Sequence, residues 1–490
     1  MNLQSLALFA KNEKWKLPHR TKVAVCVGSL LVTSFATVIV GQLAVHDPGV
    51  RGVSVDAGQP LDSVKGTPAY DYFTDGQNRF AEIDTVNGAN GTGTGLGPRF
   101  NSNQCASCHL QPAIGGSSPS RADFPNLGPN PQVQFANANN VLPPFITADG
   151  PAREARFKFF LDSGGGRRDR DGTGPTPDGG VHDLFVITGL DGAGSCAIRQ
   201  PDFEHNLDAN NVIFRIPTPT FGAGLMENIA DETILSNMTT NQQQKQFLGI
   251  SGHPNRDGND GAIARFGWKA QNKSLEIFAG EAYNVEMGVT NELFQNERAS
   301  PDEAQHGGLP PNCRVNATPE DKTNFGGSPG SAVPSDAVAF AMFMRLLGPP
   351  KASTSNPGGA TSIASGGQVF GAIGCALCHT PTLATAPSSL TASLGPGQAN
   401  LFSDLLVHHM GTNLADGVSQ GGAGPDEFRS APLWGLGQRI FLLHDGRTKD
   451  LVDAIREHAS QGSEANGVIH NFNRLNPQQQ QDLLNFLRSL

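Results

Sequence analysis

Charge is scarce in this sequence. Asp, Glu, Lys and Arg supply 16% of its 490 residues, where a soluble domain usually carries about a quarter. What charge there is leans acidic, with 45 carboxylates against 35 Lys and Arg and a net charge of −10. That excludes the basic footprint a nucleic-acid-binding protein needs. Trp is equally thin, at three residues, and there are only seven cysteines. No segment carries a convincing long strand alternation. Gly (59) and Pro (34) are abundant, so long loops are predicted. Disorder is excluded, because 38% of residues are hydrophobic and apolar segments recur along the chain. The length suits two or three domains.

The N-terminus is patterned for export. Lys11, Lys14, Lys16, Arg20 and Lys22 precede an uncharged run, residues 23–45, which His46 and Asp47 close. Positive charge ahead of an apolar run keeps that end in the cytoplasm and sends the rest across. As a helix the run would measure about 34 Å, enough to span a bilayer. It reads as a signal peptide cleaved near Ser34-Phe35-Ala36, or as an uncleaved anchor, which the apolar residues 37–40 favour. A buried core helix is the bland alternative. Residues 1–47 are therefore assigned to an export signal or membrane anchor.

Beyond it, residues 48–85 read as a lead-in. Residues 87–97, 162–195 and 352–367 read as Gly-rich loops, and the last sets the main boundary, giving domains 48–350 and 351–490. Helices are predicted at 336–347 (DAVAFAMFMRLL), 450–458 and 477–490, the last with Pro at its start and a Leu/Phe stripe. A weak repeat joins the halves. Arg215-Ile-Pro-Thr-Pro219 with G-x-G follows one cysteine motif, and Arg429-Ser-Ala-Pro432 with G-x-G follows another. The fold expected is mostly α, in two units with irregular loops.

Those motifs are Cys105-Ala106-Ser107-Cys108-His109 and Cys375-Ala376-Leu377-Cys378-His379. Two thiols at i and i+3 can add to the two vinyl groups of one haem, and the following imidazole then faces the iron. Composition predicts about 0.003 chance matches in a chain like this. A structural zinc site also starts with C-x-x-C, but it leaves the His after both pairs unexplained and sits poorly with export. A redox dithiol would need a βαβ context that is not evident. Two covalently bound c-type haems are the expected cofactors.

With both motifs placed, the chain resembles the di-haem oxidoreductases related to bacterial di-haem cytochrome c peroxidase. It is similar to their exported thiol oxidoreductase and peroxidase subgroup. The matching stretches are residues 95–101 (GLGPRFN), 105–116 (CASCHLQPAIGG), 214–227 (FRIPTPTFGAGLME), 265–269 (RFGWK), 285–288 (VEMG), 427–447 (EFRSAPLWGLGQRIFLLHDGR) and 454–458 (AIREH). The resemblance implies two cytochrome c-like domains. It implies Trp268 between the haems, where a core aromatic is the alternative, and Glu286 as acid–base residue over the first haem, where a surface Glu is the alternative. It also implies calcium as an additional ion. Two departures stand out. No histidine clearly matches the one that caps the reactive haem in resting peroxidases; His205 is in the right region, but its surroundings do not match. For the second haem, His458 stands where the peroxidases have a Met ligand, ahead of His444, Met410 and His470.

The function this implies is a periplasmic, peroxidase-like enzyme, with residues 23–45 as its inner-membrane anchor where they are retained. Haem 1 on His109 meets peroxide or a small oxidant; haem 2 on His379 and His458 relays electrons from a small periplasmic partner. A non-catalytic electron carrier and an oxygenase acting with O₂ on an organic substrate are the rivals. Cys196 and Cys313 are the cysteines left in the exported part. An oxidising compartment favours a disulfide between them, with two buried free thiols as the alternative.

Overall fold

The computed structural model describes residues 44–52, 56–162, 164–169, 172, 174–325, 334–388 and 392–490. Residues 23–45, read as an export or anchor segment, lie almost wholly outside these. Among the described residues no helix is long and apolar enough to cross a membrane.

Helices hold 32% of the described residues, and strands with isolated β-bridges 12%. The expectation of a mostly α chain is thus corrected to a mixed one, in which helix dominates. The strands run two to four residues, too short for alternation to register in sequence. One three-stranded antiparallel sheet matters for the site. Glu154–Phe157 lies in its centre, between Val181–His182 and Val212–Arg215, with Glu154 opposite Arg215. Arg99–Phe100 pairs with Phe185–Val186 beside it.

Two helix pairs frame the cysteine motifs in the same way. Ala69–Phe80 precedes the first motif and packs on Asp336–Leu346; Gly359–Ile373 precedes the second and packs on Pro477–Ser489. A glycine sits at each crossing. A Cβ on Gly76 would lie 2.4 Å from the Ala339 carbonyl, and one on Gly366 would lie 1.9 Å from the Asp482 carbonyl. Four residues after each glycine stands a buried phenylalanine, Phe80 or Phe370. Phe80 meets the His109 ring edge-on at 5.9 Å. Phe370 packs on Phe402, whose carbonyl holds His379.

The helix at Gly359–Ile373 corrects the loop expected over 352–367. Its Ser, Gly and Thr content argues against helix, and packing overrides it: small residues allow the close crossing with Pro477–Ser489. The helix at 336–346 starts as expected, on a Ser335 cap. The last helix has Pro477 in its first turn and a capping box between Asn476 and Gln479. Asp450 caps Leu451–Glu457.

Buried apolar residues form two main clusters. The larger runs from Val64 to Leu347 and takes in Leu383, Leu401, Leu405, Leu406 and Trp434. The second surrounds Cys375 and Cys378 and is built from 370–377 and 433–490, with Ile250. Cys196 and Cys313 are disulfide-bonded, with Cα atoms 4.6 Å apart, so the free-thiol alternative falls.

Candidate active site around the first cysteine motif

A cavity of roughly 160 Å³ is lined by Cys105, Cys108 and His109 on one side and by Trp268, Glu286 and Met287 on another. Cys105–Cys108 form one helical turn, and His109 follows as its cap. Both thiols are free and half-buried. Cys105 Sγ lies 3.7 Å from Met287 Sδ, which brings the end of the Leu275–Met287 helix onto the motif.

That helix end is held firmly. Ser274 caps its start. At the other end Gly97 N donates to Met287 O (2.9 Å), and Asn101 N and Ser102 N donate to Glu286 O (2.7 and 3.2 Å). The segment matching GLGPRFN therefore serves as a clamp for the Glu286 backbone.

The three candidate ligand histidines share one arrangement. His109 Nδ1 faces the Gly116 carbonyl at 3.0 Å, His379 Nδ1 the Phe402 carbonyl at 3.0 Å, and His458 Nδ1 the Ala454 carbonyl at 2.7 Å. A carbonyl can only accept, so Nδ1 carries the proton and Nε2 keeps its lone pair. Burial pushes His109 and His379 down to about 4, with nearby His458 adding to the effect on His379. Burial lowers His458 as well. All three are neutral at pH 7, the form that binds a metal.

Burial raises the Cys108 and Cys375 thiols to about 12, so both are protonated at neutral pH. Among the described residues, no group of three or more His, Cys, Asp or Glu is arranged to hold a metal ion. The donor set at each motif, two free thiols and one neutral imidazole, fits a covalently held haem. So do cavity-facing guanidinium groups: Arg153 Nε and Arg215 Nε have no hydrogen-bond partner.

Trp268 sits where the Arg215–Pro219 and Arg429–Pro432 segments meet. Its Nε1 donates to the Ile216 carbonyl (2.9 Å), and its own carbonyl accepts from Arg429 N (2.9 Å). It lines the first cavity and also a second, beside Arg429, Arg439 and Trp434. Arg429 is buried and Arg439 half-buried, and among the described residues neither pairs with a carboxylate; burial lowers both to about 10.

Glu286 is joined by a residue with no local signature in the sequence. Glu154 lines the same cavity, and its charge opposes ionisation of Glu286. Burial, with negative potential from Glu154 and Asp183, holds the Glu286 carboxyl far above the usual carboxylate range, against a counter-pull from Arg298. A one-residue strand position carries no local signature, so Glu154 is invisible without the fold.

The weaker histidine candidates lie elsewhere. His205 borders a separate cavity and contacts the Asp162 carbonyl at 3.1 Å. His444 stacks on Phe428 at 4.2 Å, near Trp268. His470 is exposed, and Met410 is half-buried at the start of a short helix.

No curated protein matches the chain. Among solved structures, hydrazine synthase from Kuenenia stuttgartiensis is 16% identical over 44% of this chain and 60% of its own, with a TM-score of 0.24. This chain thus spans less than two thirds of that one. A MauG-like protein associated with microbial copper homeostasis is 16% identical over 56% of this chain and 90% of its own, with a TM-score of 0.26. Residues 191–490 match the family described as "Di-haem oxidoreductase, putative peroxidase", and the chain belongs to that family.

Proposed function

We propose that the protein is an exported, peroxidase-like di-haem enzyme with two unequal c-type haem sites. Cys105 and Cys108 hold the first haem by thioether bonds, with His109 as ligand. Cys375 and Cys378 hold the second, with His379 and His458 as ligands. When bound, each haem supplies an iron that changes oxidation state by one electron, and an iron with an open face supplies a site for peroxide or another small oxidant.

The chain's own groups divide the work. The observation that carries the reading is the contrast between the motifs. The first opens on a cavity that holds a protonatable carboxyl, Glu286. The second is wrapped in an apolar cluster, with His458 near His379. Glu286 can give a proton to the leaving peroxide oxygen and recover one from the other oxygen or from solvent. Trp268, bonded to Ile216 and Arg429 of the two repeated segments, stands between the units as the electron path. The repeated helix pairs, each with a crossing glycine, support two copies of one cytochrome c-like unit, divided near residue 350. The Cys196–Cys313 disulfide supports a periplasmic setting, with residues 23–45 either removed or kept as an inner-membrane anchor. A small redox protein is the electron donor.

Electron paramagnetic resonance of the oxidised protein tests this. One high-spin and one low-spin haem are expected. Two low-spin signals that never open on half-reduction would replace the enzyme with an electron carrier. Covalent attachment is read separately, by haem staining after denaturing electrophoresis, and should vanish when Cys105, Cys108, Cys375 and Cys378 become Ala.

A further inference from the structure

We propose that Glu154 and Glu286 work as one carboxyl pair, sharing a single proton beside the first cysteine motif, with Glu154 the positioning and relay partner of Glu286. This rests on the peroxidase reading of that cavity and adds a second proton-handling residue to it.

The geometry comes from two unrelated elements. Glu286 ends the Leu275–Met287 helix and is fixed through its own carbonyl by Asn101 N and Ser102 N. Glu154 opens the central strand of the three-stranded sheet, locked in register opposite Arg215. Both line the cavity that exposes Cys105, Cys108 and His109, and the charge on Glu154 acts directly against ionisation of Glu286. A carboxyl–carboxyl hydrogen bond needs a proton on one of the two, because two carboxylates offer only acceptors. Like charges in contact also cannot both ionise cheaply in a poorly solvated site.

The surroundings bias where that proton rests. Arg156 Nε bonds the Glu154 carboxylate from two positions along the same strand face. Arg156 thus gives Glu154 a bonded counter-charge, and Glu286 is the member that keeps the proton. Asp183 adds negative potential from the neighbouring loop, and Arg298, paired with it at 3.0 Å, offsets that. On its own helix Glu286 has Glu281 as a cavity neighbour, and Arg153 and Arg215 face the cavity from the sheet side.

Such a pair suits peroxide reduction, ROOH + 2e⁻ + 2H⁺ → ROH + H₂O. The O–O bond breaks and each oxygen gains an O–H bond. The electrons come singly from a reduced donor protein and the protons from solvent. One proton held in place on Glu286, with Glu154 beside it to restore it, lets the site give and recover protons without waiting for bulk water.

The test is an infrared titration of the carboxylic acid band in the haem-loaded protein, run beside the pH profile of peroxide reduction. In the wild type one carboxyl should hold its proton well above the pH at which an ordinary Glu loses it. Glu154→Gln should lower the pH at which this band is lost by about one unit or more, the coupling expected for a proton-sharing pair. Arg156→Gln should raise it, because the anion next to Glu286 loses its counter-charge. Glu286→Gln should remove the band. If Glu154→Gln and Arg156→Gln both titrate as the wild type does, the pair is refuted. If instead the band responds as described but Glu286→Gln reduces peroxide at the wild-type rate, the pair stands and the peroxidase reading fails.

Discussion

Gly97→Ala probes whether the clamp on Glu286 is structural, functional or both. A Cβ at position 97 would lie 2.1 Å from the Gly288 carbonyl oxygen, 2.5 Å from its carbon and 2.6 Å from its Cα, against an ordinary contact of 3.4–4 Å. All three atoms are backbone, so no rotamer change relieves the clash. The segments must separate by about 1 Å, and Gly288 is the C-cap of the helix that ends in Glu286-Met287. Overpacking of this kind costs about 1–3 kcal/mol, partly offset by about 0.4–1 kcal/mol from the stiffer unfolded chain. A misplacement of about 1 Å in a catalytic group can cost ~10²-fold in rate. Denaturant unfolding and stopped-flow peroxide reduction of the haem-loaded protein read the two effects separately. Gly371→Ala is the control: its Cβ meets nothing within 4 Å, so it should stabilise the Gly359–Ile373 helix by about 0.5–1 kcal/mol and leave the rate alone. Wild-type stability and rate in Gly97→Ala would refute the argument that this contact positions Glu286.

Three further outcomes follow from the same structure. His458→Gly should convert the low-spin signal to high-spin and raise the potential of that haem, read by electron paramagnetic resonance and redox titration. Replacing Cys196 and Cys313 with Ser removes a cross-link over 117 residues, worth about 5 kcal/mol in the chain-entropy model; denaturant unfolding should show a loss of about 2–5 kcal/mol, and the intact protein should show no free thiol from this pair. Asp416 is buried, bonded to Arg215 at 2.7 Å and Lys269 at 3.2 Å. Burial pushes its carboxyl up, but those two cations outweigh it and hold it below the usual range. Its stabilisation is therefore full above pH ~4 and lost as pH falls further. Asp416→Asn should destabilise by about 3–5 kcal/mol, because two buried cations lose their anion, and should flatten the acid limb of a stability–pH curve.

Chemistry written in short contiguous strings was legible from the residues alone. Cys105–Cys108–His109 and Cys375–Cys378–His379 carry their meaning in spacing, because thiols at i and i+3 share one helical turn wherever that turn is placed. The Pro477 helix was legible for the same reason: caps and stripes are local. Tertiary structure alone decided the rest. The helix Gly359–Ile373 hides in a Ser/Gly-rich string, because its glycines serve a crossing with a segment more than a hundred residues later. The short strands are held by partners distant in sequence, not by their own alternation. Glu154 stands beside Glu286 only because a strand register and a helix end meet across one cavity. A proton is shared through space, and sequence records only neighbours along the chain.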